Sequence, residues 1–342
     1  MSKELVEVES RALALPGNID ERVAENLANL IRDKGAFSAN TWKALQSVMR
    51  QWAVWCDQRN LPWLPIQPEI MREYLTGLHE SGLSVATVKQ HYAMMCKIHK
   101  HAELPSLKDT QVVSLAMRRI TRQAVEGGER SGQAIPFRLS DLERIAKAYT
   151  TSDDLADARD LAFLSLAYNT LLRIAEIGRL RLKDVETGPE NRVVLRIGYT
   201  KKTLTTDGEI RTLSHGASQR LRMWIEQSRL TDPNDFIFCT VDRWGKLRRK
   251  TKPLSNTAME SIFARAWYLT KGERGKADDK GRYAVWTGHS ARVGAAQDMA
   301  ANNIELGAIM KQGGWKRVDM VMRYIRNLDD ADNAFNRMIE GI

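Results

Sequence analysis

Cysteine is scarce in this 342-residue chain, with only Cys56, Cys96 and Cys239. They stand far apart and in no C-x-x-C pair. That excludes a disulfide framework and a cysteine-built zinc site, and it points to a reducing compartment. Long apolar runs are missing as well. The longest, Leu161 to Leu172, is too short to cross a bilayer and contains Ser165 and Asn169, so no membrane span is expected. The first ten residues are acidic and lack an apolar centre, so they are not read as a signal peptide. No Walker loop, no H-E-x-x-H and no locally spaced carboxylate set is found, so neither a metal nor a cofactor is expected. Internal repeats and low-complexity tracts are also absent.

What the chain has in excess is positive charge. The formal net charge is +10 and the pI is about 9.5, a balance that favours a polyanionic partner, of which nucleic acid is the usual one. The excess is uneven. Residues 1–127 hold 16 Lys and Arg against 14 Asp and Glu, whereas residues 128–342 hold 36 against 28. If the partner is DNA, the C-terminal part should make more of the phosphate contacts.

Residues 1–19 lack periodicity and contain Pro16-Gly17, which reads as a mobile arm. Helical patterning follows. Trp42, Leu45, Met49, Trp52 and Cys56 recur at steps of three and four, an amphipathic helix whose other side offers Lys43, Ser47 and Arg50. Pro68 and Glu69 open another helix. Ser84 is the expected N-cap of a further one, with Val88, Tyr92 and Met95 inside and Ala86, Lys89, Gln90, Ala93, Lys97 and Lys100 outside. A helix over Thr110 to Val125 completes a domain expected at 20–126. The Gly-rich, Pro-ended stretch that follows marks a linker at 127–137, with a second domain over 138–342. There, Ser140 and Glu143 suggest a capping box. Val193–Ile197 and Glu209–Leu213 suggest two strands joined by a turn at Thr206-Asp-Gly208, and Phe236–Thr240 a third. The expected fold class is mainly α, a helical N-terminal domain plus a mainly helical second domain with a small antiparallel β-sheet.

A polar, basic helix stripe is usually just a solvated face. The small Ala86 and Ala93 among the charges tilt this one toward DNA, since they let a helix lie close to base edges that Lys and Gln can bond. Three segments of the C-terminal half carry chemistry. In Tyr168-Asn-Thr-Leu-Leu-Arg173-Ile-Ala-Glu176, Arg173 and Glu176 are three apart, hence on one face if helical. In Gly288-His289-Ser-Ala-Arg292-Val-Gly294, a helix start would place free N–H groups beside His289 and Arg292, an arrangement favourable to phosphate. In Gly313-Gly314-Trp315 and on to Tyr324, a helix should turn Met320 and Val321 inward. Each segment alone is weak, because a lone His, Tyr or R-x-x-E is most often structural.

Their order is the strong signal: Arg, Lys, His-x-x-Arg, Trp, Tyr. It resembles the tyrosine site-specific recombinases (the lambda-integrase family), and within them the Cre-like subgroup that includes the Cre and Dre recombinases. Thr41-Trp-Lys43, Val113–Ile120 and Gly128-Glu-Arg130 fit the same pattern, so the resemblance covers nearly everything after the first 20 or so residues. It implies that Tyr324 is the nucleophile on a DNA phosphate and that Arg173 and Arg292 clamp the phosphate oxygens. It implies that His289 and Trp315 bond the same phosphate, that His289 also helps manage the proton of the tyrosine, and that Glu176 orients its neighbours. Lys201 would protonate the leaving 5′ oxygen, with the adjacent Lys202 as the alternative. Lys43, Lys89 and Gln90, and more weakly Arg282, would touch DNA.

The resemblance also implies a double-stranded target of inverted repeats around a spacer. Four subunits would be joined cyclically by a C-terminal helix carrying Ala334, Phe335, Met338 and Ile339, in the cytoplasm of a bacterium carrying a phage or plasmid. Two rivals remain open: a type IB topoisomerase-like enzyme, and a non-catalytic sequence-specific DNA binder.

Overall fold

The computed structural model describes residues 20–130, 132–198, 209–248, 250–275, 283–325 and 339. The arm, the Thr206–Gly208 turn, Lys201, Lys202, Arg282 and the C-terminal segment from 326, Ile339 apart, lie outside the described residues. The chain divides into two compact units between residues 131 and 132.

The first unit is helical: α1 (Glu21–Arg32), α2 (Ala39–Asp57), α3 (Pro68–Glu80), α4 (Val85–His101) and α5 (Gln111–Glu126). Ser38 Oγ accepts from the Thr41 N–H to open α2, and Ser84 Oγ accepts from the Thr87 N–H to open α4. Pro68 occupies the first turn of α3, where its missing N–H is no loss. The 3-4 pattern of α2 buries Leu45, Met49, Trp52 and Cys56, with Val48. Trp52 lies edge-on to Tyr74 at 5.0 Å and donates its indole N–H to the Trp63 carbonyl. Two polar side chains that periodicity does not single out, His91 and His99, are buried beside this core.

The second unit holds α6 (Leu139–Tyr149), α7 (Leu155–Thr170), the short α8 (Ile174–Ile177), α9 (His215–Gln227), α10 (Asn256–Lys271), α11 (Ser290–Ala301), α12 (Leu306–Gly313) and α13 (Val318–Ile325). Strands β1 (Val185–Thr187), β2 (Val193–Ile197) and β3 (Glu209–Thr212) form an antiparallel sheet in that order. Its core is aromatic, with Phe137, Phe163, Phe238, Phe263, Trp224 and Trp286 all buried. Most of the apolar run Leu161 to Leu172 lies in α7, most of whose residues are buried.

Three local expectations change. The segment 236–240 is not one strand. Only β4 (Thr240–Val241) pairs with β5 (Leu247–Arg248), while Phe236 makes an isolated bridge to Arg181. Helix α6 begins before Ser140, because the Asp141 carboxylate accepts from the Arg138 N–H and caps the turn one residue ahead of Leu139. The stretch read as linker is packed from Ala134 onward. Ala134 and Phe137 are buried, Pro136 O accepts from the Trp286 indole, and the Phe137 N–H donates to Ser290 O.

Candidate active site

The site grows from a break in a helix. Helix α7 stops at Leu171, which adopts a left-handed conformation at φ 53°. A leucine there costs on the order of 1 kcal/mol and persists only when its surroundings fix it. They do: the Leu171 carbonyl accepts from Arg292 Nη1. The break puts Arg173 in front of α8 rather than on a continuous helix, which corrects the helical spacing expected for Arg173 and Glu176. Their proximity survives for a different reason. The Glu176 carboxylate accepts from both the Arg173 N–H and Arg173 Nη1, each at 2.9 Å.

Arg292 is the buried centre. It is 2% exposed, and its second Nη donates to the Gly313 carbonyl at 2.9 Å. Burial pulls this guanidinium below its ordinary value, yet an arginine stays charged at any physiological pH. The guanidinium carbon lies 4.9 Å from the centre of the Trp315 ring and 5.9 Å from that of Tyr324, and those two rings are 4.9 Å apart. Arg292 Nε and Trp315 Nε1 are buried, and neither has a hydrogen-bond partner among the described residues. A buried donor left unpaired costs about 1–3 kcal/mol, so two of them side by side favour an acceptor that enters from outside.

Helix α11 carries this centre. Gly288 leads into it, with its N–H donating to Glu260 Oε2 at 2.7 Å. His289 is the exposed N-cap, and Arg292 points inward one turn later. At Gly294 an added Cβ would fall 1.8 Å from the Phe137 carbonyl oxygen, so only glycine lets the helix approach that backbone. The far end is anchored by Asp298. Its carboxylate accepts from Tyr168 Oη at 2.6 Å, Arg138 Nη1 at 2.8 Å and the Leu139 N–H at 2.9 Å. Burial and then this hydrogen bond push the Tyr168 phenol far above its ordinary range. Tyr168 is therefore a locked donor to Asp298.

Gly313 meets a similar demand, since an added Cβ would fall 2.1 Å from the Trp315 ring. Gly314 caps α12 at φ 63° and turns the chain so that Trp315 folds back, its N–H donating to Met310 O. Helix α13 buries Val321 and packs Met320 and Tyr324 against the same small cluster, as the sequence predicts. The Tyr324 carbonyl accepts from Gln133 Nε2 at 2.8 Å and from Gln297 Nε2 at 2.9 Å.

The structure thus brings Arg173, Glu176, Arg292, Trp315 and Tyr324 together and places His289 at the entrance of α11. A small pocket is lined by Leu171, Leu172, Arg173, Glu176, Glu209, Arg211, Arg292, Gly313 and Gly314. Sequence reading missed Glu209, Arg211, Gln133, Gln297 and Asp298. Only the first two had a legible signal, two charged residues alternating on an expected strand. In the first unit, Lys43, Ser47 and Arg50 are exposed along α2, and Ala86, Lys89, Gln90 and Ala93 along α4. Lys97 leans over the Phe37 ring at 5.1 Å. Among the described residues, no group of acidic, His or Cys side chains could hold a metal ion, and Cys56, Cys96 and Cys239 are buried free thiols.

Comparison with known proteins gives this geometry a family. Residues 137–331 match the phage integrase family. The chain is 43% identical to the recombinase Cre of Escherichia phage P1 over 332 residues, 96% of each chain. It is 25% identical to the XerD-homologous integrase/recombinase of Selenomonas ruminantium, covering 87% of this chain and 85% of that one. The structure of the Tn1549 transposon integrase in complex with transposon right end DNA shares the fold, with a TM-score of 0.61 at 16% identity over 93% of this chain and 98% of that one. The chain belongs to the phage integrase family and is a Cre-like tyrosine site-specific recombinase, an enzyme of DNA cleavage and religation.

Proposed function

We propose that Tyr324 Oη attacks the phosphorus of a DNA backbone phosphate and gives up its proton toward His289, forming a 3′-phosphotyrosine while the 5′ oxygen leaves with a proton from Lys201. Arg173 and Arg292 hold the non-bridging oxygens, whose charge grows toward the transition state and suits planar guanidinium forks. Trp315 Nε1 donates to the same group, His289 bonds it from the start of α11, and Glu176 fixes the angle of Arg173. The covalent bond to tyrosine keeps the energy of the broken phosphodiester, so rejoining needs neither ATP nor a metal. The observation that carries this reading is the pair of buried, unpartnered donors on Arg292 and Trp315 beside the Tyr324 ring.

The target, on this reading, is a double-stranded site of inverted repeats around a spacer, recombined by a cyclic tetramer in the cytoplasm. Lys43, Lys89 and Gln90 face the bases from the first unit, with Arg282 touching DNA from the second. The domains proposed are an arm at 1–19, a DNA-binding domain at 20–126, a connecting segment at 127–137 and a catalytic domain at 138–342.

The test starts from a target selected out of randomised DNA. The wild-type protein should form a covalent adduct with that site in excess chelator. Tyr324→Phe, which removes one oxygen and keeps the ring packing, should bind the half-site as tightly and form none. An adduct that persists in the variant assigns the nucleophile elsewhere. Relaxation of any plasmid without a defined site would favour a topoisomerase.

A further inference from the structure

Strand β3 inverts the pattern that an ordinary packed sheet requires. In an antiparallel pair, directly opposed residues share a face. Ile197 opposes Glu209 and Leu195 opposes Arg211. Leu195 and Ile197 are buried, so the inner face of β3 carries an acid and a base. The residue between them, Ile210, is 53% exposed. A strand under selection for packing alone would place Ile210 inside and the charges outside.

The inward arginine has a defined place. Its side chain is only 12% exposed, and Nη2 donates to Glu209 Oε2 at 2.7 Å while Nη1 donates to the Ile210 carbonyl at 3.1 Å. Its Nε is buried and has no partner among the described residues. Arg211 lines the same pocket as Arg173 and Arg292, and an added Cβ at Gly314 would lie 3.9 Å from Arg211 Nη2. Three guanidiniums on one pocket repel one another, and desolvating a charge is costly even when it is paired. An anion in the pocket offsets both costs.

We propose that Arg211 is a third phosphate-binding arginine of this site, held on Glu209 until DNA arrives and then donating to a non-bridging oxygen of the scissile phosphate. The proposal rests on the reading that Arg173 and Arg292 receive that phosphate. Glu209 keeps the guanidinium oriented and partly neutralised in the free protein. The incoming phosphate oxygen competes with that carboxylate for the fork.

The test compares single-turnover cleavage of two DNA substrates, one ordinary and one with a methylphosphonate at the scissile position, which removes one charged oxygen. Arg211→Met should slow cleavage of ordinary DNA by about tenfold or more, the scale of a lost transition-state donor. Half-site binding should change little. On the methylphosphonate isomer that lacks the contacted oxygen, the deficit relative to wild type should shrink, and Arg211→Lys should recover part of the ordinary rate. Wild-type cleavage by Arg211→Met, or the same deficit on both substrates, would overturn the proposal and leave Arg211 as a structural partner of Glu209. If Arg211→Met does not fold, the comparison is made with Arg211→Lys, where unequal loss supports the proposal and equal loss overturns it. Absence of any adduct from the wild-type protein would instead remove the reading of the pocket itself.

Discussion

Arg292 shows how one side chain can be fixed by distant parts of the chain. Its two Nη groups are tied to the carbonyls of Leu171 and Gly313, which belong to different elements. The plane of the fork is therefore set, and Nε is left without a partner among the described residues. Tyr324 is held from behind in a comparable way, by the Gln133 and Gln297 amides on its carbonyl. Gln297→Met keeps the length of the side chain and removes the donor. Cleavage by this variant should fall by about tenfold or more, since small misplacements of a reacting group are costly. Half-site affinity, measured by titration, should stay unchanged; a loss of both together would assign Gln297 to general stability. The leaving group gives a second residue-scale prediction. Lys201→Ala should cut ordinary DNA poorly and DNA with a 5′-bridging sulfur far better, because a thiolate leaves without a proton. If only Lys202→Ala shows this rescue, Lys202 is the general acid.

At the scale of elements, α4 carries two buried histidines that are held neutral. The Tyr74 phenol, pushed above its ordinary range by burial, keeps its proton, and its Oη shares a hydrogen bond with His91 Nδ1 at 2.9 Å. His99 Nε2 accepts from the Ile66 N–H at 3.0 Å, and Nδ1 therefore carries the proton that bonds the Pro105 carbonyl at 2.7 Å. Desolvation lowers both histidines below 6.5. A lowered value in the fold means that the unfolded chain takes up protons first as the pH drops. The stability from these two groups is thus fully present above pH 6.5 and is lost progressively as pH falls through their folded values. Urea unfolding of the intact protein should show the midpoint of its N-terminal unit dropping below about pH 6. In His99→Leu that dependence should weaken, while stability at pH 7.5 falls by about 1–3 kcal/mol for each group left unpaired. A pH-independent midpoint between 5 and 7.5 would count against neutral histidines in the core.

At the scale of the whole molecule, the charge is carried mainly by the second half, and the apolar stripe after Tyr324 has a role in assembly on the reading proposed above. A short helix with one apolar side is marginal alone in water and needs a surface to cover it. Head-to-tail docking of such helices closes into a ring when the rotation allows. Deleting residues 331–342 should leave a folded protein that binds one half-site normally. Gel-shift titration on a full site should then show loss of cooperativity, and synapsis should fail. Normal recombination by the truncated protein would end the docking idea, and failure to fold would assign the stripe to its own core.

Much of this was legible in the residues. The 3-4 periodicity of Trp42 through Cys56 specifies a helix and its buried side, because period alone decides which side chains meet the core. The cap at Ser84 acts within one turn, and β2 and β3 follow from β-branched runs. The order from Arg173 through Tyr324 also points to the family, the tyrosine recombinases, to which the chain belongs. What the tertiary structure decided is how those residues converge. The break at Leu171 is set by a hydrogen bond from Arg292, 121 residues away. The Gln133 bond to the Tyr324 carbonyl spans 191 residues. The inward turn of Glu209 and Arg211 follows from their pairing with Leu195 and Ile197. Periodicity reports only whether a side chain faces core or solvent. A polar group that is buried because a distant backbone carbonyl or an opposing strand receives it leaves no local trace, so its place is fixed only when the chain has folded.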